Sequence, residues 1–261
     1  MNDEAVQLKP QRPRWVVGLV VLGVVLVGVG VWLAFRGPSS PPASAPPAVA
    51  AAPQTPAQPP EPPLPPTAET DALLRERLAG ASTAPEFAAW LREQDLLRRF
   101  VAVVANVASG DSPRAVVGFL APSGGFQARK KAGKEFIDRK SYARYDAIGR
   151  GVGSLNADVL VSTYQEVRGL AERLHRESAP PGSTFDATLQ RAFEQVLAVP
   201  VLDGDVEVVA KGAMYVYADP AHEGLTAAQK HLLRMGPTNL RLIQGKVREV
   251  SQRLNARAER P

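Results

Sequence analysis

Apolar positions along this chain fall into three regimes. From Trp15 to Phe35 they are continuous, WVVGLVVLGVVLVGVGVWLAF, without one charged residue. At about 1.5 Å of rise per residue, a helix of this length crosses roughly 30 Å, the thickness of a bilayer's hydrocarbon core. Trp15 at one end and Trp32 with Phe35 at the other suit the two membrane interfaces. The pattern predicts one transmembrane helix over residues 15–35. From 36 to 67 the chain turns to Pro, Ala, Ser, Gln and Thr, with Glu61 the only acidic residue. Proline lacks an N–H and fixes φ, so this stretch predicts a disordered, extended spacer that cannot join a core.

From about residue 68 the pattern becomes periodic. Leu73, Leu74 and Leu78 make a helical stripe stopped by Gly80. Thr83-Ala84-Pro85-Glu86 reads as a capping box for a helix carrying Phe87, Trp90 and Leu91. Asp95 reads as the N-cap of the next, with Leu97, Phe100, Val101, Val104 and Val107. A Gly- and Pro-rich loop covers 110–125, and Phe126 to Asp138 predicts a hairpin turning at Ala132-Gly133. Tyr142, Tyr145, Ile148 and Val152 form a helical face that Gly149, Gly151 and Gly153 should break. Asn156 caps what reads as the longest helix, about 157–177, and Phe185 to Leu197 form another, ended by Pro200. Val206–Ala210 and Ala213–Tyr217 predict a second hairpin around Lys211-Gly212. Asp219 before Pro220 suits a helix N-cap, and Thr226 with Gln229 makes a capping box. Gly236-Pro237 restarts the chain as a last helix bearing Leu240, Ile243, Val247, Val250 and Leu254.

The expected fold class is therefore mainly α: a single-pass transmembrane helix, a Pro-rich linker, then a helical domain with two short β-hairpins. The domain order is a cytoplasmic tail (1–14), the transmembrane helix (15–35), the disordered linker (36–67), the α-helical soluble domain (68–256) and a disordered tail (257–261). Lys9, Arg12 and Arg14 precede the span and Arg36 alone follows it closely. Basic residues stay preferentially in the cytoplasm, which puts the soluble domain on the far side. A cleaved signal peptide would have a shorter apolar run and a closer cleavage site.

Composition narrows the chemistry. The chain has no cysteine, which excludes disulfides, thiolate catalysis and Cys-based zinc sites together. The net charge of +5 suggests acidic partners without specifying nucleic acid. Aromatics are 6% of residues, too sparse for a base-stacking platform.

Four segments then stand out as a set: Leu97-Arg98-Arg99-Phe100-Val101, Tyr142-Ala143-Arg144-Tyr145-Asp146, Ala218-Asp219-Pro220, and Gln229 to Asn239, QKHLLRMGPTN. With the preceding membrane helix and Pro-rich linker, the chain resembles the bacterial envelope family called domain of unknown function 3014, over roughly residues 80–255. It departs from that pattern at Arg168-Gly169, where the family has an aromatic–Pro pair. The resemblance implies a cell-envelope location and carries no activity.

Candidate sites are few. His175 lies among charged neighbours and reads as solvated surface; His222-Glu223 and His231 lack any tight metal-ligand spacing, so no metal and no cofactor is expected. Gly149-Arg150-Gly151-Val152-Gly153-Ser154 lacks the Gly-Lys-Ser/Thr of a phosphate loop. No G-x-S-x-G is present. The stretch Arg129, Lys130, Lys131, Lys134, Arg139, Lys140, Arg144, Arg150 faces only Glu135, Asp138 and Asp146. It is a solvated face or a patch for an anionic partner, and Arg129, Lys130, Lys131, Lys134, Arg139 and Lys140 are the partner-binding candidates. Tyr142, Arg144, Tyr145, Asp219, Arg234 and Asn239 are expected to be structural: the two motifs should pack together, with a largely buried Asp219 paired to Arg144 or Arg234. The alternative is that these residues line a ligand cleft.

The reading is an inner-membrane-anchored periplasmic protein, a non-enzymatic binding or scaffolding module of the envelope. Its expected partners are the membrane and a protein or anionic envelope polymer, not nucleic acid. The alternative is a cell-wall-modifying hydrolase using an unidentified carboxylate pair, which would need two carboxylates about 5–10 Å apart in a cleft.

Overall fold

A computed structural model describes residues 62–258, which lie within one unit of the chain running from Glu61. The expected cytoplasmic tail, transmembrane helix and most of the linker lie outside the described residues. Among the described residues, no helix is long and apolar enough to cross a membrane.

The domain is mainly helical. Helices α1 (Thr67–Leu78), α2 (Pro85–Trp90) and α3 (Leu96–Ala108) come first, then two single-turn 3₁₀ segments at Pro113–Ala115 and Gly118–Leu120. Strands β1 (Ala128–Lys131) and β2 (Lys134–Ile137) follow, then α4 (Arg139–Ala143), α5 (Asp146–Gly153), α6 (Ala157–Arg176) and α7 (Phe185–Leu197). Strands β3 (Glu207–Lys211) and β4 (Met214–Tyr217) lead into α8 (Pro220–Glu223), α9 (Ala227–Leu233) and α10 (Gly236–Ala258). Asn156, Thr184 and Asp219 cap α6, α7 and α8 by accepting backbone N–H bonds. Thr226 and Gln229 form a complete capping box on α9.

Both hairpins form where expected, but they are not separate. Glu135 pairs with Val208 and Phe136 with Glu207, so the strands join as one antiparallel sheet in the order β1-β2-β3-β4. The first turn uses Ala132 and Gly133 at φ +49° and +77°, the left-handed conformation a two-residue hairpin requires at both positions.

Three packed clusters hold the domain. Leu74, Leu97, Val101, Val104, Val167, Ala171, Phe185 and Leu189 fill a bundle of α1, α3, α6 and α7. Ile137, Val199, Val208, Tyr217, Leu233 and Leu240 lie under the sheet. Tyr145, Met235 and Ile243 form the third. Helix α10 touches all three through Leu240, Ile243 and Leu254. At 23 residues it exceeds the 20 of α6, so the last helix, not α6, is the longest described.

Three local expectations are corrected. Thr83 does not cap α2, whose N-cap is Ala84 with no side-chain bond. Asp95 does not cap α3 with its side chain either. Asp71 does so from α1: its carboxylate accepts the N–H of Asp95 at 2.9 Å and of Leu96 at 2.8 Å. Finally, Gly149, Gly151 and Gly153 do not break a helix; they lie inside α5. A Cβ on Gly149 would fall 2.3 Å from the Asn239 amide oxygen, and one on Gly151 2.3 Å from the Trp90 ring. Gly149 and Gly153, four residues apart, open one face of the helix to Asn239 and Leu242 of α10, and Gly151, on the opposite side, makes room for Trp90.

Candidate functional site

The motif segments do come together, by a different bond from the one expected. Asn239 is 2% exposed, and its amide nitrogen donates to Tyr142 O, Asp146 Oδ1 and Met235 O at 2.9–3.2 Å. Gly236, at φ +82°, lies against the Tyr142 ring, where an added Cβ would be 2.5 Å from it. Asn239, Tyr142 and Gly236 thus weld the start of α10 to α4.

Asp219 is not part of the weld. Its side chain is 52% exposed, it accepts the Ala221 N–H as a helix cap, and the His222 ring lies 3.4 Å from it. No arginine pairs with it among the described residues. The expected buried Asp219–arginine pair is therefore wrong, because the carboxylate points out along the start of α8 to satisfy a helix terminus.

The two arginines serve elsewhere. Arg144 Nη1 donates to Gly124 O at 2.7 Å and Nε to Ser141 O at 3.3 Å; its guanidinium lies 5.4 Å from the Tyr145 ring centre. Arg234 donates to Tyr215 O at 3.2 Å and lies 6.0 Å from the Tyr217 ring centre. In an antiparallel hairpin every second residue turns its N–H and C=O away from its partner. On β4 these are Tyr215 and Tyr217, and Arg234 takes the first carbonyl while Glu223 takes the Tyr217 N–H at 3.0 Å. Side chains thus take up two outward backbone groups on the β4 edge of the sheet.

Between α3, the loop after it, α5, the β3–β4 turn and α9 lies a cleft of about 1000 Å³. Its walls are apolar, with Val103, Leu120, Phe126, Ile148 and Leu232 among them. Its charged lining is Arg114, Arg144 and Arg234, with His231 beside them, and no Asp or Glu lines it. None of the three arginines is in an ion pair among the described residues. Tyr145 is 8% exposed and lines the cleft as well. His231 Nδ1 lies 2.7 Å from Ser112 Oγ, and its ring packs edge-on to Tyr145 at 6.4 Å. Burial holds the His231 pKa below the ordinary value, and Arg114 and Arg234 push the same way. Tyr142, behind the weld, has its pKa pushed up to about 12, mainly by burial and further by Asp205.

The basic stretch divides. Arg129 and Lys131 bind Asp205, and Lys134 binds Glu207 at 2.7 Å, so three of its cations meet acids at the start of the second hairpin. Those acids lie about 70 residues on, beyond any local charge reading. Lys130, Arg139 and Lys140 are exposed. His175 is not surface but 4% exposed, held by Ser183 at 3.0 Å and Thr188 at 3.3 Å. Its charged sequence neighbours hid a face that turns inward at α7. The cleft itself was missed as a unit, since its lining comes from six separate segments; the arginines beside tyrosines in the two motifs were the available signal.

Fold and cleft together define a mainly α domain with a small antiparallel sheet and a basic, apolar-walled cavity. Residues 96–251 match the family described as Protein of unknown function (DUF3014); that is more than half the chain, and the chain belongs to this family. No curated protein and no solved structure matches it.

Proposed function

We propose that this is a non-enzymatic binding module of the cell envelope, tethered to the inner membrane through residues 15–35 with its folded domain in the periplasm, and that the basic cleft holds its ligand. One observation carries the binding reading: arginines fixed by backbone carbonyls, and paired to no acid, line an apolar cavity. Arg114 and Arg234 are exposed and Arg144 is half-buried, so water solvates them, and an anion entering the cleft meets fixed positive charge with no carboxylate among the lining residues to compete with it. A hydrolase reading would require converging carboxylates, and none lines this cleft. The tether rests on the Trp15–Phe35 run and on the three basic residues before it.

The test is to purify the full chain from its native membrane, denature it and identify what small molecules are released. A ligand should be present in wild type and absent from Ala121→Trp, which sets a bulky ring at an exposed position on the cleft's lining. Equal small-molecule content in both would overturn the cleft as the binding site.

A further inference from the structure

We infer that the cleft takes an anionic amphiphile with a single acyl chain, its head on Arg144 and Arg234 and its tail along the apolar wall. The inference rests on the binding reading above and names the ligand class. Charge sets the head. Three arginines line the cleft without one carboxylate among the lining residues, which disfavours cations and gives an anion a complementary charge that a neutral ligand lacks.

Geometry sharpens this. A guanidinium has five N–H donors. Arg144 spends donors on Gly124 O and Ser141 O, and Arg234 on Tyr215 O. Those bonds fix both side chains in place and leave further donors on each. The fork of a guanidinium matches carboxylate or phosphate oxygens two at a time. No hydrogen bond occupies the Tyr145 hydroxyl among the described residues, and it supplies another donor on the same wall.

The walls set the tail. Val103, Val107, Leu120, Phe126, Ile148 and Leu232 give an apolar surface that a small inorganic anion would leave wet. At about 1000 Å³ the space is at the upper end for small-molecule sites, far more than a bare head group fills. A polyanionic strand would use the arginines and waste the apolar side. One charge and one chain use both.

The test uses the full chain in nanodiscs of neutral lipid. Four photoreactive probes share one ten-carbon diazirine tail and differ in the head: carboxylate, phosphate, hydroxyl or ammonium. Adducts are mapped by mass spectrometry. The carboxylate or the phosphate probe should label residues 113–126 and 228–235. The better of the two identifies the source, a free acid or a single-chain phospholipid. Unlabelled carboxylates should compete about fourfold more weakly for each methylene removed. Arg144→Gln combined with Arg234→Gln should cut labelling at least tenfold, while Arg248→Gln, an exposed arginine of α10 outside the cleft, leaves it unchanged. Ala121→Trp, which alters no hydrogen bond named here, should block it too. Equal labelling by the hydroxyl probe, labelling indifferent to both the paired arginine change and Ala121→Trp, or no labelling by any probe would overturn the proposal. If native protein releases a ligand lost in Ala121→Trp but no acyl anion labels the cleft, the binding reading stands and this ligand class falls.

Discussion

Two glycines in this domain have opposite roles. Gly149 lies under Asn239 with no room for a methyl group, whereas Gly169 on α6 has nothing within 4 Å of an added Cβ. Alanine favours a helix over glycine by about 1 kcal/mol. Gly169→Ala should therefore raise stability by about 0.5–1 kcal/mol. At Gly149 the same gain is overridden, because the methyl must displace Asn239 and its three bonds; a net loss of about 2 kcal/mol is expected. Chemical denaturation of the two variants reads both signs. Carboxylates divide in the same way. Asp71→Ala strands the N–H groups of Asp95 and Leu96 in a buried site and should cost on the order of 3 kcal/mol. Asp219→Ala removes an exposed cap and should cost about 1 kcal/mol. A larger loss at Asp219 than at Asp71 would reverse the assignment of the two acids. The cap at Asp219 was legible from the Pro220 that follows it, although its exposure was not, and the role of Asp71 was not legible at all. Asp95 stands where a cap should stand, and nothing local announces that Asp71, 24 residues earlier, takes its place.

At the scale of elements, the sequence carries what is local. Turns, caps and apolar periods are short-range, so α6, α7, α9, α10 and both hairpins were legible from Asn156, Pro200, Thr226, Gly236 and the Gly133 and Gly212 turns. Pairing of β2 with β3 was not, because backbone hydrogen bonds across that distance leave no residue signature. The glycines of α5 were misread for a related reason: glycine lowers helix propensity in every context, and only the packed partners on both sides, α10 and Trp90, show why the cost is accepted. Helix α9 gives a pH prediction. His231 has a pKa below its ordinary value, so the unfolded chain binds more protons between the two values. Stability should be intact above about pH 6.5, fall as pH drops through that value, and level off once the folded histidine is protonated. The charged groups facing it are Arg114 and Arg234, both cationic throughout this range. His231→Gln should flatten the dependence of Tm on pH between 7 and 5. A wild-type Tm that rises on acidification would contradict the assignment.

For the whole molecule, the proposed orientation makes its own prediction. A periplasm-active reporter fused after Pro261 should be active, and protease added to spheroplasts should remove the folded domain. A silent reporter and a protected domain would place the module in the cytoplasm. The boundary between spacer and domain is displaced slightly from its sequence position. Leu64 and Pro65 pack beside Thr70, Leu97 and Leu170, and Arg173 donates to Pro62 O, so the end of the Pro-rich stretch is seated on the bundle. That seating gives the spacer a fixed departure point from the domain.

The sheet also has a history in time. Strand β2 is made about 70 residues before β3, its partner; at roughly 5–20 residues per second, several seconds separate them. Through that interval the first hairpin waits with an unfilled edge. Its load of Arg129, Lys130, Lys131 and Lys134, against Glu135 alone, should disfavour pairing between copies of the hairpin, since like charges repel across an open edge. When the second hairpin arrives, Asp205 and Glu207 meet Arg129, Lys131 and Lys134 and remove that repulsion only for the correct neighbour. The basic stretch is thus a lock carried by the first half of the sheet, and the acids are its key. Asp205→Lys should leave the helical bundle forming at its normal rate in a refolding experiment and slow the later closing of the sheet, with added salt restoring part of the lost speed; unchanged kinetics would show that the charges play no part in the assembly.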